Sequence, residues 1–184
     1  MRKLIESTHV SLGGEVGSPQ EWAFPYLNQE HNDYAKGLLF TADALLLGRV
    51  TYEGLSAAYP SMIAGETGVP NDFIDRMNSI PKYVASRTLR ETTWNATVIE
   101  GEVASFVADI KKQPGDNIIK YGNGALDATL MEHGLIDEFH LVVAPVAVGR
   151  GKHLFESIDT APALNLADVM RFSNGVLILV YTPA

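Results

Sequence analysis

The sequence predicts a single α/β domain built around a mixed β-sheet, parallel in the middle and antiparallel at one edge, with helices on both faces. Short apolar strands alternate with helix-like stretches as far as residue 144, which is typical of parallel strands joined by crossover helices. Farther along, Leu164–Phe172 and Val176–Tyr181 flank Asn174-Gly175, a strong hairpin signal that adds antiparallel strands. No linker, internal repeat or low-complexity tract interrupts residues 1–184, so we expect one domain.

The elements follow one another in a regular order. The predicted strands before the hairpin are Leu4–Leu12, Ala44–Leu47, Tyr83–Ser86, Thr97–Ile99, Asn117–Tyr121 and Glu138–Ala144. The predicted helices are His31–Phe40, a helix capped by Asn71, Glu102–Lys112 and Ala125–His133. The first strand is unusual because the polar run Glu6-Ser7-Thr8-His9 interrupts its apolar residues.

Composition excludes several classes of protein. The net charge of −8, without any cluster of lysine and arginine, disfavours nucleic acid and anionic membranes as partners. The absence of cysteine excludes disulfides and thiolate chemistry, and the five histidines lack the spacing of a metal site. The opening Met1-Arg2-Lys3-Leu4-Ile5 meets Glu6 too soon for a signal peptide, and no apolar run approaches membrane length. We therefore expect a cytoplasmic protein without a metal.

Three strand ends are followed by residues that suit an anion. Asn117–Tyr121 runs into Gly122-Asn123-Gly124 and then into a helix, so backbone N–H groups are left uncovered at the positive end of the helix dipole. The other two junctions are Gly48-Arg49-Val50-Thr51 and Ser86-Arg87. Each junction alone has a simpler alternative: a tight turn at Gly122–Gly124, a helix start with a solvated arginine at Arg49, and a turn with a surface charge at Arg87. Because ligands of open α/β sheets collect beyond the carboxyl ends of the strands, the three together predict a phosphate-bearing ligand.

Five groups of motifs occur in a recognisable order along nearly the whole chain. They are Val10-Ser11-Leu12-Gly13-Gly14, Leu46–Glu53, Pro81–Leu89, Gly122–Gly124, and Gly134–Glu138 with Pro145–Phe155. In this order they resemble the dihydrofolate reductase-like family, in its branch similar to the reductase domain of riboflavin biosynthesis. The resemblance implies a three-layer fold with NADPH bound across the carboxyl edge of the sheet. It also implies a homodimer and reduction of C=N or C=O bonds in pteridine- or pyrimidine-like heterocycles.

The resemblance also implies a set of cofactor contacts. By match to the family's motifs, the cofactor-binding residues are Gly48, Arg49, Thr51, Ser86, Arg87, Gly122, Asn123, Gly124 and Ala125. Ser86 and Arg87 would meet the 2′-phosphate, and the turn at Gly122–Ala125 would meet the pyrophosphate. Asp127, early in the helix after that turn, would complement the helix dipole by itself and so compete with a bound anion.

One departure from the family concerns the end of the first strand. The family usually carries an aspartate after Ser-Leu, at the substrate pocket, whereas this chain has Gly13. The obvious group for orienting a polar heterocycle or relaying a proton is therefore missing, and Glu6, Glu15 or Glu21 could substitute. The candidate catalytic residues are Ser11, Glu15 and Glu21.

The substrate is expected between the first strand, the loop of Trp22 and the helix near Tyr52, with Gly13 in the same pocket. Trp22 and Phe24 could form a wall of that pocket or could only pin the loop. Our first hypothesis is therefore an NADPH-dependent reductase of a small molecule. The alternatives are a nucleotide-binding or structural protein of the same fold with little or no turnover, and a flavin- or folate-binding protein.

Overall fold

The computed structural model describes residues 1–63 and 65–184. In that part of the chain the strands are β1 (Leu4–Val10), β2 (Ala42–Gly48), β3 (Lys82–Ala85), β4 (Ala96–Val98), β5 (Asn117–Tyr121), β6 (Glu138–Val143), β7 (Leu164–Arg171) and β8 (Leu177–Pro183). The α-helices are α1 (Pro19–Trp22), α2 (Gln29–Leu39), α3 (Arg49–Ala58), α4 (Asn71–Ser79), α5 (Val103–Lys112) and α6 (Ala125–Glu132). Single 3₁₀ turns at Phe24–Tyr26 and Tyr59–Ser61 follow α1 and α3.

One sheet contains all of these strands, in the order β4-β3-β2-β5-β1-β6-β8-β7. The first six strands pair in parallel, whereas β8 is antiparallel to both β6 and β7. β8 therefore runs opposite to every other strand, and β7 joins the sheet only through β8. The predicted mixed sheet, with its antiparallel edge, is confirmed.

The strand register places chemically different residues on the two faces of the central strands. In β1, Glu6 lies beside Lys120 of β5, and Ser7 lies beside Tyr121 of β5 and His140 of β6. Because successive side chains of a strand point to opposite faces, Glu6 and Lys120 share one face. Ser7, Tyr121 and His140 share the other.

Each face of the sheet is covered by its own helices. Leu46 and Ile118 pack with Val107 of α5 and Leu130 of α6 in one core cluster. Their strand neighbours, including Ile119, pack with residues of α2, α3 and α4 in a second cluster. The two clusters give the three-layer arrangement, and the side chain of Glu6 lies on the α5–α6 face.

The structure moves some element boundaries. β1 ends at Val10 instead of Leu12, because Ser11 begins a turn in which Gly14 N–H donates to the Ser11 carbonyl at 3.0 Å. The prediction that Asn71 caps a helix was wrong: Pro70 precedes the helix and Asn71 is its first residue. Helix α2 begins earlier than predicted, because Asn28 caps it and accepts from the His31 N–H at 3.0 Å.

Among the described residues, no helix is both long and apolar enough to cross a membrane. The same residues contain no group of three or more histidine, aspartate and glutamate side chains arranged to hold a metal ion.

Candidate active site

The predicted cofactor-binding residues, and Ser11 with them, lie along one edge of the sheet, at the carboxyl ends of adjacent strands. Ser86 follows β3, Arg49 follows β2, Gly122 follows β5 and Ser11 follows β1. Neighbouring strands lie about 4.8 Å apart, so these four strand ends span about 14 Å. The edge is therefore long enough for an extended ligand, which is the arrangement that the three junctions predicted.

The turn after β5 has a backbone that only glycine accommodates readily. Gly122 has a φ of +75°, and a Cβ there would lie 2.7 Å from Oγ1 of Thr51 at the start of α3. The turns after β5 and β2 are thus in direct contact. The N–H groups of Asn123 and Ala125 donate no hydrogen bond within the described chain, whereas Gly124 N–H donates to Oδ2 of Asp127 at 2.6 Å. Asp127 therefore takes one of the N–H groups at the helix start, as a competing anion would.

Beneath this turn three ionisable side chains form a buried group, which we call the charged cluster: Glu6, Lys120 and Asp127. All three are at most 2% exposed. Nζ of Lys120 lies 2.7 Å from Oδ1 of Asp127 and also donates to the carbonyl of Gly122. Oε2 of Glu6 is buried without a hydrogen-bond partner among the described residues. Burial raises the pKa of Glu6 to about 8, although the charge of Lys120 opposes that rise.

Asn123 and Lys152 fix the outer side of the same turn. The Asn123 amide donates to Oε1 of Glu6 at 3.3 Å, and its Oδ1 accepts from the N–H of Phe155 at 3.3 Å. Nζ of Lys152 donates to the Asn123 carbonyl at 2.9 Å and would lie 2.6 Å from a Cβ at Gly124. Sequence reasoning gave Lys152 no role, although it belongs to the Pro145–Phe155 motif. It brings a positive charge to the predicted pyrophosphate position.

The junction after β2 places Arg49 at the first position of α3, with Gly48 before it. Nη1 of Arg49 lies 2.9 Å from both carboxylate oxygens of Glu53, one helical turn later. Both side chains are about half exposed, so this pair contributes little to stability. The guanidinium can leave Glu53 for a phosphate at small cost.

Beyond β3 and β4 the edge opens into a cleft of about 510 Å³. Ser86, Arg87 and Arg90 line it together with Glu100. Oγ of Ser86 accepts from the Leu89 N–H at 2.9 Å and so holds the turn that presents both arginines. Arg90 was missed by sequence reasoning, although it follows Arg87 by three residues. Two guanidinium groups and one carboxylate give this cleft a positive balance that suits a phosphate monoester.

The turn after β1 contains a carboxylate despite Gly13. Glu15 is 2% exposed, accepts from the hydroxyl of Ser11 and accepts from the Gly149 N–H at 2.8 Å. The hydrogen bond from Ser11 lowers the pKa of Glu15 below its ordinary value. A Cβ on residue 13 would lie 2.6 Å from Oε1 of Glu15. The carboxylate of Glu15 therefore occupies the space into which a side chain at residue 13 would extend.

The remaining predicted residues do not meet in one place. Trp22 packs with Ala23 and Ala144, and its indole N–H donates to the Gly17 carbonyl at 2.8 Å, so it pins its loop. Tyr52 belongs to a different cluster, where its hydroxyl accepts from the Thr93 N–H at 2.9 Å. Glu21 is exposed on α1.

On the opposite face from the charged cluster lies a second polar group, which we call the neutral cluster: Ser7, His9, His31, Tyr34 and Tyr121. His9 and His31 stack with ring centroids 5.3 Å apart, and the Tyr34 hydroxyl lies 2.7 Å from Nδ1 of His140. Sequence reasoning did not assign it. The polar residues of the first strand were its one visible signal, since Ser7 and His9 occupy positions that would otherwise be apolar.

The fold and these strand ends define the class of protein as dihydrofolate reductase-like. Dihydrofolate reductase of Schistosoma mansoni matches with a TM-score of 0.58 and 17% identity, covering 100% of this chain and 99% of that one. A putative riboflavin biosynthesis protein from Shewanella sp. PV-4 matches with a TM-score of 0.77 and 19% identity over 99% of each chain. A pyrimidine reductase-like protein from Corynebacterium diphtheriae matches with a TM-score of 0.66 and 15% identity, over 100% of this chain and 92% of that one.

Within that class the chain belongs to the RibD C-terminal domain family, whose sequence profile matches residues 2–178. The uncharacterized protein YyaP of Bacillus subtilis (strain 168) is 33% identical over 183 residues, which cover 98% of this chain and 94% of that protein. The family resemblance inferred from the sequence motifs is thereby confirmed.

Proposed function

We propose that the protein is an NADPH-dependent reductase that transfers hydride to a C=N or C=O bond of a small pyrimidine- or pteridine-like substrate. The observation that carries this proposal is the row of anion-binding features at the ends of adjacent strands. Membership of a family named for the RibD C-terminal domain and the fold shared with a pyrimidine reductase-like protein support it.

The residues present fit such a cofactor. Arg87 and Arg90 in the cleft beyond β3 would hold the 2′-phosphate. The free N–H groups of Asn123 and Ala125, with Lys152 beside them, would hold the pyrophosphate. A dihydronicotinamide bound at this edge supplies the hydride, and the protein's part is to position the reactants and exclude water.

The proposal is tested by titrating the protein with NADPH and with NADH while nicotinamide fluorescence is recorded. We expect Arg87→Ala to weaken NADPH binding by about 10- to 100-fold, since charge-assisted hydrogen bonds contribute about 1.5–3 kcal/mol, while NADH binding changes by less than about twofold. Arg171→Ala, an exposed arginine of β7, is the matched control and should change neither. If neither nucleotide binds at millimolar concentration, the reductase proposal fails.

Turnover is tested separately from binding. NADPH oxidation is followed across a panel of pterins, pyrimidines and quinones. Binding without oxidation of any of them would favour a nucleotide-binding protein with little or no turnover.

We also propose that two copies associate as a homodimer, which the family resemblance implied. An apolar strip on the outer strands supports this, since Leu166 and Val169 of β7 are 55% and 47% exposed. They pair directly with Tyr181 and Leu179 of β8, on the same face of the sheet. Light scattering with size-exclusion chromatography tests it: Leu166→Asp with Val169→Asp should yield monomers, and a native chain that is already monomeric at micromolar concentration would refute it.

A further inference from the structure

The charged cluster contains one more acid than its base can neutralise. Glu6, Lys120 and Asp127 are each at most 2% exposed, so two carboxyl groups share a single ammonium group away from solvent. Nζ of Lys120 lies 2.7 Å from Oδ1 of Asp127, and Oδ2 of Asp127 accepts from the Gly124 N–H at 2.6 Å. Asp127 is therefore the acid that is paired as an ion, and Glu6 is left over.

Glu6 lacks the contacts that a buried carboxylate requires. Its Oε2 has no hydrogen-bond partner among the described residues, and its Oε1 accepts from the Asn123 amide at 3.3 Å. The ionisable groups that face it are Lys120 from β5 and Asp127 from α6, which are paired with each other, whereas its neighbour on β6 is Phe139. An uncompensated buried charge is strongly unfavourable, so these contacts suit a protonated carboxyl group. Burial accordingly raises the pKa of Glu6 to about 8.

Asn123 connects Glu6 to the turn that is proposed to hold the pyrophosphate. Its side-chain amide contacts Glu6, and its carbonyl accepts from Nζ of Lys152 at 2.9 Å. Its own N–H donates no hydrogen bond within the described chain and is one of the two N–H groups available to the anion. The group that would contact the anion and the group that contacts Glu6 therefore belong to the same residue.

The charge of the cluster affects how tightly an anion is held at this turn. When Glu6 is protonated, the cluster is a single ion pair without net charge. When Glu6 is ionised, the cluster has an excess negative charge in a buried medium, where charges interact more strongly than in water. A bound pyrophosphate brings further negative charge to the same turn. Anion binding and ionisation of Glu6 therefore oppose each other, and each must weaken the other by the same factor.

We propose that Glu6 is a positioning residue of the anion site, acting through Asn123, and that the pyrophosphate of the cofactor binds together with a proton on Glu6. The proton is taken up from solvent when the anion binds and is released when it leaves, so no bond of the ligand is broken. This inference rests on the proposed function, because it requires a pyrophosphate at the Gly122 turn. It does not depend on which substrate is reduced.

NADPH is a suitable probe above about pH 7.5, because its phosphate groups are then fully ionised and gain or lose no proton themselves. ADP-ribose is the second probe, since it carries the pyrophosphate without the nicotinamide. Isothermal titration calorimetry of the full chain at pH 8.5, in two buffers of different ionisation enthalpy, gives the number of protons taken up on binding. The native chain should take up about half a proton or more with either probe, and the affinity should fall about fivefold between pH 7.5 and pH 9.

Glu6→Gln keeps the size of the side chain and an acceptor for Asn123, but it cannot titrate. This variant should bind NADPH without proton uptake and with the same affinity at pH 7.5 and pH 9. A merely structural role of Glu6 would change the affinity equally at both pH values and leave the native pH dependence in place. Glu132→Gln is the matched control, because Glu132 is an exposed carboxylate at the end of α6, and it should keep the native profile.

The outcomes separate this inference from the reductase proposal. If the native chain binds NADPH without proton uptake, or if Glu6→Gln keeps the native pH dependence, the inference is wrong and the reductase proposal stands. If both probes bind with a linked proton but no compound of the substrate panel oxidises NADPH, the inference stands and the reductase proposal falls. If neither probe binds, both are wrong. The proton count on the native chain does not depend on the folding of any variant.

Discussion

The two faces of the same central strands differ in electrostatic character. On the α5–α6 face, the Lys120–Asp127 ion pair and the carboxyl group of Glu6 are buried together beneath the Gly122 turn. On the α2–α3 face, Ser7 and Tyr121, their immediate chain neighbours, belong to a cluster without charge. Successive residues of β1 and β5 therefore point into different environments, one with an ion pair and one without.

The two faces of the sheet therefore have different roles. The charged cluster fixes the backbone of the proposed phosphate turn, because Lys120 donates to the Gly122 carbonyl and Asp127 accepts from the Gly124 N–H. The neutral cluster leaves the hydroxyl of Tyr121 and Nδ1 of His31 without hydrogen-bond partners among the described residues. The charged cluster and the unpartnered polar atoms therefore lie on opposite faces of the same strands.

The largest effect on the free energy of unfolding is expected when Lys120, the cation of the charged cluster, is replaced. Lys120→Met leaves Glu6 and Asp127 buried without a positive partner, and removing one member of a buried ionic group costs about 3–5 kcal/mol. Urea unfolding followed by circular dichroism measures the loss. Adding Asp127→Asn to Lys120→Met should recover part of it, because it removes one of the stranded charges. A loss below about 1 kcal/mol for Lys120→Met would show that the cluster is not held by its charges.

The next effect is on the pH dependence of stability, which differs between the two faces of the sheet. The pKa of Glu6 is raised to about 8 by burial, so its stabilising contribution is complete below its ordinary pKa and is lost as pH rises through 8. The pKa of His9 is lowered to about 4, so its contribution is complete above its ordinary pKa and is lost as pH falls toward 4. Lys120, Asp127 and Asn123 face Glu6, and His31, whose pKa is lowered in the same direction, faces His9.

We therefore expect Glu6→Gln to gain stability over the native chain between pH 6.5 and 8, by roughly 1.4 kcal/mol per pH unit. His9→Gln should instead lose less stability than the native chain as pH falls below 6.5. His31 accounts for the loss of stability that remains. The free energy of unfolding, measured by urea denaturation from pH 4 to pH 9, checks both. Parallel profiles for native chain and Glu6→Gln would mean that Glu6 does not titrate in this range.

A smaller contrast lies within the neutral cluster. Tyr34→Phe should cost about 1 kcal/mol, since it removes the hydroxyl that bonds His140. Tyr121→Phe should cost nothing or stabilise the free protein by up to about 1 kcal/mol, because its buried hydroxyl has no partner. Thermal unfolding of the two variants compares them directly. Equal destabilisation would show that a structural water or another group satisfies Tyr121.

The smallest effect concerns the turn after β1. Gly13→Ala should cost about 1 kcal/mol, because its Cβ displaces the Glu15 carboxylate from Ser11 and from the Gly149 N–H. In a Glu15→Ala background the same substitution should cost nothing. Gly37→Ala is the control, since no atom lies within 4 Å of its Cβ and alanine favours a helix. A cost that persists without Glu15 would locate the strain elsewhere.

Local sequence signals predicted most of the fold. Strand Asn117–Tyr121 was predicted to the residue, because an apolar run bounded by glycines has few alternatives. A helix was also predicted at Asn71, and in the structure α4 begins there and buries Phe73, Ile74 and Met77. The cap was misassigned, since an asparagine after proline fits the sequence pattern of a cap whether or not its side chain accepts from an N–H group of the first helical turn.

The candidate site could be predicted only at strand ends that each carry a recognisable sequence pattern and that lie side by side in the sheet. Strand ends after β2, β3 and β5 each showed a glycine, hydroxyl or arginine signal, and the strand order places them side by side. The pairing of Glu6 with Lys120 depends on strand order and register, which no local window contains. Lys152 reaches Asn123 from a distant loop, so its role needed coordinates as well.

Strand β1 also bears on the order of folding, because the sheet is complete only after β1 has paired with both of its neighbours. Its two neighbours, β5 and β6, come late in the chain, and Asn123 is separated from its partner Glu6 by 117 positions. Pairings of such long range close slowly, because a large loop must be ordered before any contact rewards it. Glu6 keeps its hydration until β1 enters between β5 and β6, so dehydration of that carboxylate coincides with the docking of the strand. The charged cluster and the neutral cluster are therefore completed by the same event.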